Sequence, residues 1–201
     1  METGARLRYT TLPRWNGTAP AAKNETYSMN FFGDVAVAAV DQHPVTQPMF
    51  MYLPWQCVHV PVTPPPSCDN ATTGVCEDPL RSMLYVADDY VGRLADRLDA
   101  RGMWDNTLFV FSADNGGVDT GNNYPLRGEK HTSWEGGMRV TAFLAGGLLP
   151  ENVRGTHSDA FVHVVDWYPT LCKLAGVDPT DDPPVAPLPV DPTRPDLDIY
   201  H

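Results

Sequence analysis

Thr107-Leu108-Phe109-Val110-Phe111-Ser112-Ala113-Asp114-Asn115-Gly116-Gly117 decides how this chain is read. The run from Thr107 to Ser112 is β-branched and aromatic, the composition of a buried strand, and it stops abruptly at an acid, an amide and two glycines. A strand that ends this way delivers a carboxylate and a carboxamide to its C-terminal tip. In open α/β sheets the crevice beyond those tips is where ligands bind, and glycines let the backbone turn there without obstruction. The loop that follows, Asn122 to Arg139, gathers polar donors, glycines and Trp134 before a second strand-like run, Val140 to Ala145.

Upstream, Met49-Phe50-Met51-Tyr52-Leu53 is short and continuously apolar, as expected of a strand buried on both faces, and His59 lies just past its end. Leu80, Leu84, Ala87, Val91, Leu94 and Leu98 recur at helical spacing, and Gly102 closes that helix. Strand, helix and strand in this order form a crossover unit, which predicts two parallel strands sharing one C-terminal edge. That topology puts His59 on the same side of the molecule as Asp114 and Asn115. Residues 27–42 predict an earlier helix with Ser28 as its cap, ended by Pro44. Ser158 to Ala175 predicts a last amphipathic segment, broken at Pro169, that covers one face of the sheet.

The fold class is therefore α/β, a mostly parallel sheet flanked by helices. Residues 1–27 read as an extended approach segment, 28–177 as the core, and 178–201, rich in proline and aspartate, as a loop or linker. The chain has 201 residues and a formal net charge of −11, which argues against a surface built for nucleic acid or anionic lipid. No apolar run is long enough to span a bilayer, and Met1 to Trp15 lacks the apolar core of a signal peptide.

Glycosylation sequons begin at Asn16, Asn24 and Asn70, and Cys68 and Cys76 stand close enough in sequence for a small disulfide. Both features predict a secretory, extracellular or lysosomal setting. Cys57 and Cys172 sit in apolar runs and read as buried thiols.

Asp114 and Asn115 supply hard oxygen donors suited to calcium or magnesium, although the same four residues are also good turn chemistry. Arg127, Lys130 and His131 lie in a glycine-bounded loop that is either an anion receiver or a solvated loop. His59 reads as an anion donor, an acid/base group or a structural histidine. Asp88 and Asp89 fall on the polar side of their helix, and His157 and His163 have no partner spacing.

Taken together, Phe109 to Gly117, Asn123-Tyr124-Pro125-Leu126-Arg127-Gly128-Glu129-Lys130, Trp134 to Val140, Tyr52 to Pro61 and Val165 to Leu171 resemble the sulfatase family, in its arylsulfatase B-like branch of the alkaline phosphatase-type superfamily. The resemblance implies a calcium-dependent hydrolase of small-molecule or glycan sulfate esters. It implies Asp114 and Asn115 as metal ligands, with Lys130 and His59 on the sulfate. The family's nucleophile is a formylglycine made in a Cys/Ser-x-Pro-x-Arg motif that does not occur in this sequence. The paired N-terminal aspartates of the family's metal site are absent as well. The expectation is an incomplete sulfatase N-terminal-type domain whose missing parts lie upstream and which alone turns over no aryl sulfate. Two other readings stand beside it. A phosphodiesterase or phosphonate hydrolase of the same superfamily is separated by ester assays, and a non-catalytic secreted glycoprotein by the transcript upstream of Met1.

Overall fold

The computed structural model describes residues 27–68, 74–119 and 121–180, with the backbone of 14–16 and 19–21. The sequons at Asn24 and Asn70 and the segment 181–201 lie outside the described residues, and at Asn16 only the backbone is described. Strands β1 (Arg14–Asn16) and β2 (Ala19–Ala21) pair antiparallel, within the stretch expected to be an extended approach. The chain forms two units, Met1–Arg154 and Gly155–His201.

In the first unit, helix α1 (Ser28–Gln42) buries Met29, Gly33, Ala36 and Val40, one stripe at intervals of three and four. Ser28 is its first helical residue and not its cap; Tyr27 occupies the cap position without a side-chain bond to the helix amides. Helix α2 (Pro79–Ala100) is capped by Asp78, whose carboxylate accepts the amides of Leu80 (2.9 Å) and Arg81 (3.3 Å), with Pro79 at the first position, where no amide hydrogen is missed. Gly102, at φ 66°, lets the Met103 amide return to the Leu98 carbonyl (2.8 Å) and ends the helix as expected.

The buried stripe of α2 is Met83, Ala87, Tyr90, Leu94 and Leu98. Leu84, placed in that stripe by its spacing, is exposed, and Asp88 and Asp89 face solvent. The two helices meet where Gly33 leaves room for the Tyr90 ring; a Cβ on Gly33 would come within 2.3 Å of it. The Tyr90 hydroxyl donates to Asp34 (2.8 Å), while Arg93 covers the ring at 4.3 Å and reaches Asp34 at 3.2 Å. Arg97 donates to Asp41 (3.1 Å) one turn along.

The core formed by Ala36, Val40, Leu94 and Leu98 is closed by Met49, Met51, Leu53, Trp55, Met103, Trp104 and Phe109. Strand β3 (Phe109–Ser112) thereby rests on the helix pair. It pairs antiparallel with β4 (Ala142–Ala145), Phe109 opposite Ala145 and Ser112 opposite Ala142, and Phe143 stacks against Phe111 at 4.9 Å.

The expected parallel partner does not form. Residues 49–53 belong to no strand, and the described residues contain no parallel ladder. The physical reason lies in the side chains: Met49, Met51 and Leu53 turn onto the core while Phe50 and Tyr52 are 77% and 79% exposed. A stretch packed on one face only, with no hydrogen-bonded neighbour, stays extended without becoming a sheet strand. The apolar run therefore lines the core from one side, where burial on both faces was expected.

A single helical turn, α3 (Glu135–Met138), precedes β4 in the first unit; in the second unit, a 3-10 turn (Val164–Asp166) leads into α4 (Trp167–Ala175). Pro169 sits in the first turn of α4, where its missing amide hydrogen has no partner to lose, so it opens the helix instead of breaking it. His163 and Asp166 cap that turn reciprocally: the Val165 amide donates to His163 Nδ1 and the His163 amide to Asp166 (2.7 Å). Phe161, Val164, Val165 and Leu174 are exposed.

Candidate functional site

The tip of β3 is stitched to the chain entering β4. The Ala113 amide donates to the Thr141 carbonyl and the Gly116 amide to the Gly137 carbonyl, both at 3.0 Å. Between them, the Asp114 carboxylate accepts the Asn115 amide (2.8 Å), and the Asn115 side-chain amide donates to the Gly116 carbonyl (2.9 Å). The turn chemistry and the donor chemistry thus coexist. Asp114 Oδ2 and Asn115 Oδ1 carry no hydrogen bond among the described residues.

The loop from 117 to 137 folds back on that tip because glycines allow backbone to touch backbone. A Cβ on Gly116 would stand 1.7 Å from the Gly136 carbonyl oxygen, and one on Gly136 would stand 2.1 Å from that of Gly128. The Gly136 amide donates to the Arg127 carbonyl (2.8 Å) and the Lys130 amide to the Gly117 carbonyl (3.2 Å). Thr132 closes the turn after Glu129, its hydroxyl donating to the Glu129 carbonyl (2.7 Å). Trp134 is half exposed and carries the Arg127 guanidinium over its ring at 3.7 Å, so it holds a cation in place.

The second arm is the segment 55–63. Trp55 lies 6.1 Å from the Tyr90 ring, the Tyr27 hydroxyl donates to the Thr63 carbonyl (3.0 Å), and the Cys57 thiol points to the Met83 carbonyl (3.8 Å). Burial pushes the Cys57 thiol up to about 11, and burial followed by the neighbouring Cys57 pushes the Tyr27 phenol up to about 12. Raised in this way, the Cys57 sulfur is a thiol and not a thiolate at pH 8. Iodoacetamide at that pH should leave Cys57 unmodified in the folded chain and alkylate it after denaturation, as peptide mass mapping would read; rapid alkylation of folded protein at Cys57 would contradict the burial.

His59 extends from this arm. Its Nδ1 lies 2.7 Å from the Val60 carbonyl, and because a carbonyl only accepts, Nδ1 carries the proton. The ring's other nitrogen, Nε2, faces Lys130 Nζ at 3.5 Å. Residues separated by 71 positions meet here. Lys130 is in turn tied through Gly117 to the turn that holds Asp114 and Asn115. His131, at φ 76°, makes no side-chain bond among the described residues.

One residue that the sequence reading quoted without assigning it a role is built into this junction. Asn123 bonds to both backbone groups of Gly117 and to the Gly128 carbonyl. An asparagine between glycines signals only turn chemistry, so nothing in its spacing pointed to it.

A match to the sulfatase family model extends over residues 4–177. The chain belongs to the sulfatase family. It is 34% identical to arylsulfatase J of Mus musculus over 157 residues, 76% of this chain and 26% of that protein. Against the N-acetylgalactosamine-6-sulfatase of Homo sapiens the identity is 30% over 143 residues, 67% of this chain and 26% of the relative. The crystal structure of Ps i-CgsB in complex with k-i-k-neocarrahexaose superposes with a TM-score of 0.73 at 29% identity, covering 83% of this chain and 38% of that one. Its likeness carries the α/β fold of sulfatases. The chain spans about a quarter of the length of these curated sulfatases.

A cation in the sulfatase site takes oxygen donors, and the two unbonded oxygens of Asp114 and Asn115 suit one in kind. In number they fall short, because calcium takes about six to eight oxygens. Among the described residues no group of three or more His, Cys, Asp or Glu side chains could hold a metal ion. Asp114 and Asn115 together offer two unbonded oxygens, the kind of atom a hard divalent cation takes. No described helix is long and apolar enough to cross a membrane.

Proposed function

We propose that the protein is an arylsulfatase-type sulfuric ester hydrolase in which this chain supplies the sulfate-binding half of the site. The observation that carries the reading is the approach of Lys130 Nζ to His59 Nε2 at 3.5 Å, from loops far apart in sequence, in a member of the sulfatase family. An ammonium and an imidazole facing one another, with no acidic partner among the described residues, suit an anion that both can donate to. Lys130 neutralises a non-bridging sulfuryl oxygen. His59 turns Nε2 toward the same place, and its bond to the Val60 carbonyl fixes the ring's direction.

Asp114 and Asn115 would contribute two oxygens to a calcium ion, with magnesium as the other oxygen-seeking cation. When bound, that cation draws charge from the transferred group. The formylglycine nucleophile of the family has no precursor motif in this sequence, so the roles assigned to this chain are binding and charge neutralisation. The substrate is a small-molecule or glycan sulfate ester. Relatives named arylsulfatase and N-acetylgalactosamine-6-sulfatase differ in the group that carries the sulfate, which supports sulfate as the common element. The Cys68–Cys76 disulfide supports a secretory, extracellular or lysosomal setting, in which Asn16, Asn24 and Asn70 would be glycosylated.

Matched aryl sulfate, phosphate monoester and phosphate diester assays on the full-length gene product test this. Sulfate-ester turnover well above both phosphate activities is expected. Phosphate-ester turnover without sulfate-ester turnover would transfer the protein to the phosphohydrolase reading, and turnover of neither would make it a non-catalytic member.

A further inference from the structure

We propose that Asn123 is a positioning residue that sets the Lys130 loop against the tip of β3, an inference that rests on the sulfate-binding reading of Lys130. Its Oδ1 accepts the Gly117 amide at 2.8 Å, and its Nδ2 donates to the Gly117 carbonyl at 2.8 Å and to the Gly128 carbonyl at 3.3 Å. Only one orientation of the side-chain amide works. A flipped amide would set oxygen against two carbonyls and NH2 against an N–H, so the network fixes the assignment.

The Gly117 carbonyl that takes Nδ2 also takes the Lys130 amide at 3.2 Å. Gly128, the other carbonyl in the clamp, stands two residues before Lys130 at φ 86°. One half-buried side chain therefore ties both ends of the loop: Gly117, joined to the Asp114-Asn115 turn, and Gly128, joined to the lysine. Without it the Lys130 amide keeps a single 3.2 Å bond to an unsupported carbonyl.

A space-filling role and a clamping role make opposite forecasts for Asn123→Asp. Aspartate has the same size but only accepts, so it keeps the Gly117 amide and sets charge against both carbonyl oxygens. Asn123→Ala removes all three bonds and leaves the carbonyls to water. The clamp predicts the order wild type, then N123A, then N123D in how well Lys130 is held; a steric role predicts N123D close to wild type.

Amide hydrogen exchange of the 15N-labelled chain reads this directly, with the Lys130 rate taken relative to the β3 amides so that any global loss of stability divides out. At least tenfold faster relative exchange at Lys130 is expected in N123A, and faster still in N123D. Sulfate titrations followed at the His59 ring should show weaker binding by at least fivefold in N123D. Unchanged relative exchange at Lys130 in N123D overturns the inference even if wild type binds sulfate. Faster exchange at Lys130 in a chain whose wild type ignores sulfate leaves the clamp standing and removes the sulfate reading.

Discussion

Gly136→Ala should unfold the lysine loop and cost about 3 kcal/mol of stability or more, at or above the upper end of ordinary overpacking penalties. The added Cβ would stand 2.1 Å from the Gly128 carbonyl oxygen and 2.7 Å from that of Arg127. Neither obstacle is the end of a flexible side chain, so relief requires the backbone to move. The move breaks the 2.8 Å bond from the Gly136 amide to Arg127 and shifts the carbonyl that Gly116 packs against. Denaturant midpoints should fall steeply, and sulfate binding should vanish with them. Gly92→Ala on the exposed face of helix α2 is the control, since nothing lies within 4 Å of its Cβ position. There the same methyl should stabilise by roughly 0.5–1 kcal/mol through helix propensity. Equal effects at the two glycines would mean that backbone contact does not hold the loop.

Lys130→Met should weaken sulfate binding by about 10- to 100-fold while leaving the fold intact. Methionine keeps the length of the side chain and removes the ammonium that faces His59. A charged hydrogen bond to an anion contributes on the order of 1.5–3 kcal/mol, and about 1.4 kcal/mol is tenfold in affinity. The Lys130 loop is held by backbone bonds, so thermal unfolding should be nearly unchanged. Lys173→Met, which removes a cation from the last turn of α4, is the matched charge control and should leave affinity unaltered. Isothermal titration with sodium sulfate at fixed ionic strength measures both. Equal affinities in wild type and K130M would remove Lys130 from the site.

Where each element was legible, a local pattern and its packing agreed. The β-type run at 107–112 became β3, and the helical spacing from Leu80 to Leu98 became α2, closed by Gly102 as expected. The run at 49–53 misled because an unbroken apolar stretch does not say how many faces are covered; Phe50 and Tyr52 turn outward while their neighbours turn in. Leu84 misled for a related reason. Spacings of three and four admit two adjacent stripes, and the choice fell to the one carrying Met83 and Tyr90, whose ring finds the flat seat at Gly33. Within the site, His59 and Lys130 stood out as candidate anion-binding residues and the resemblance put both on the sulfate, whereas their approach depends on anchors such as Tyr27 to Thr63 that no short window contains. Asn123 was hidden because its three partners are backbone groups, and backbone groups have no sequence signature.

The pairing of an imidazole with a lysine around one anion is most directly tested by the ring resonances of the histidines during a sulfate titration of the wild-type chain. A saturable shift is expected at His59, with His157 and His163 unmoved. No shift at His59, or parallel drift of all three rings, would contradict it.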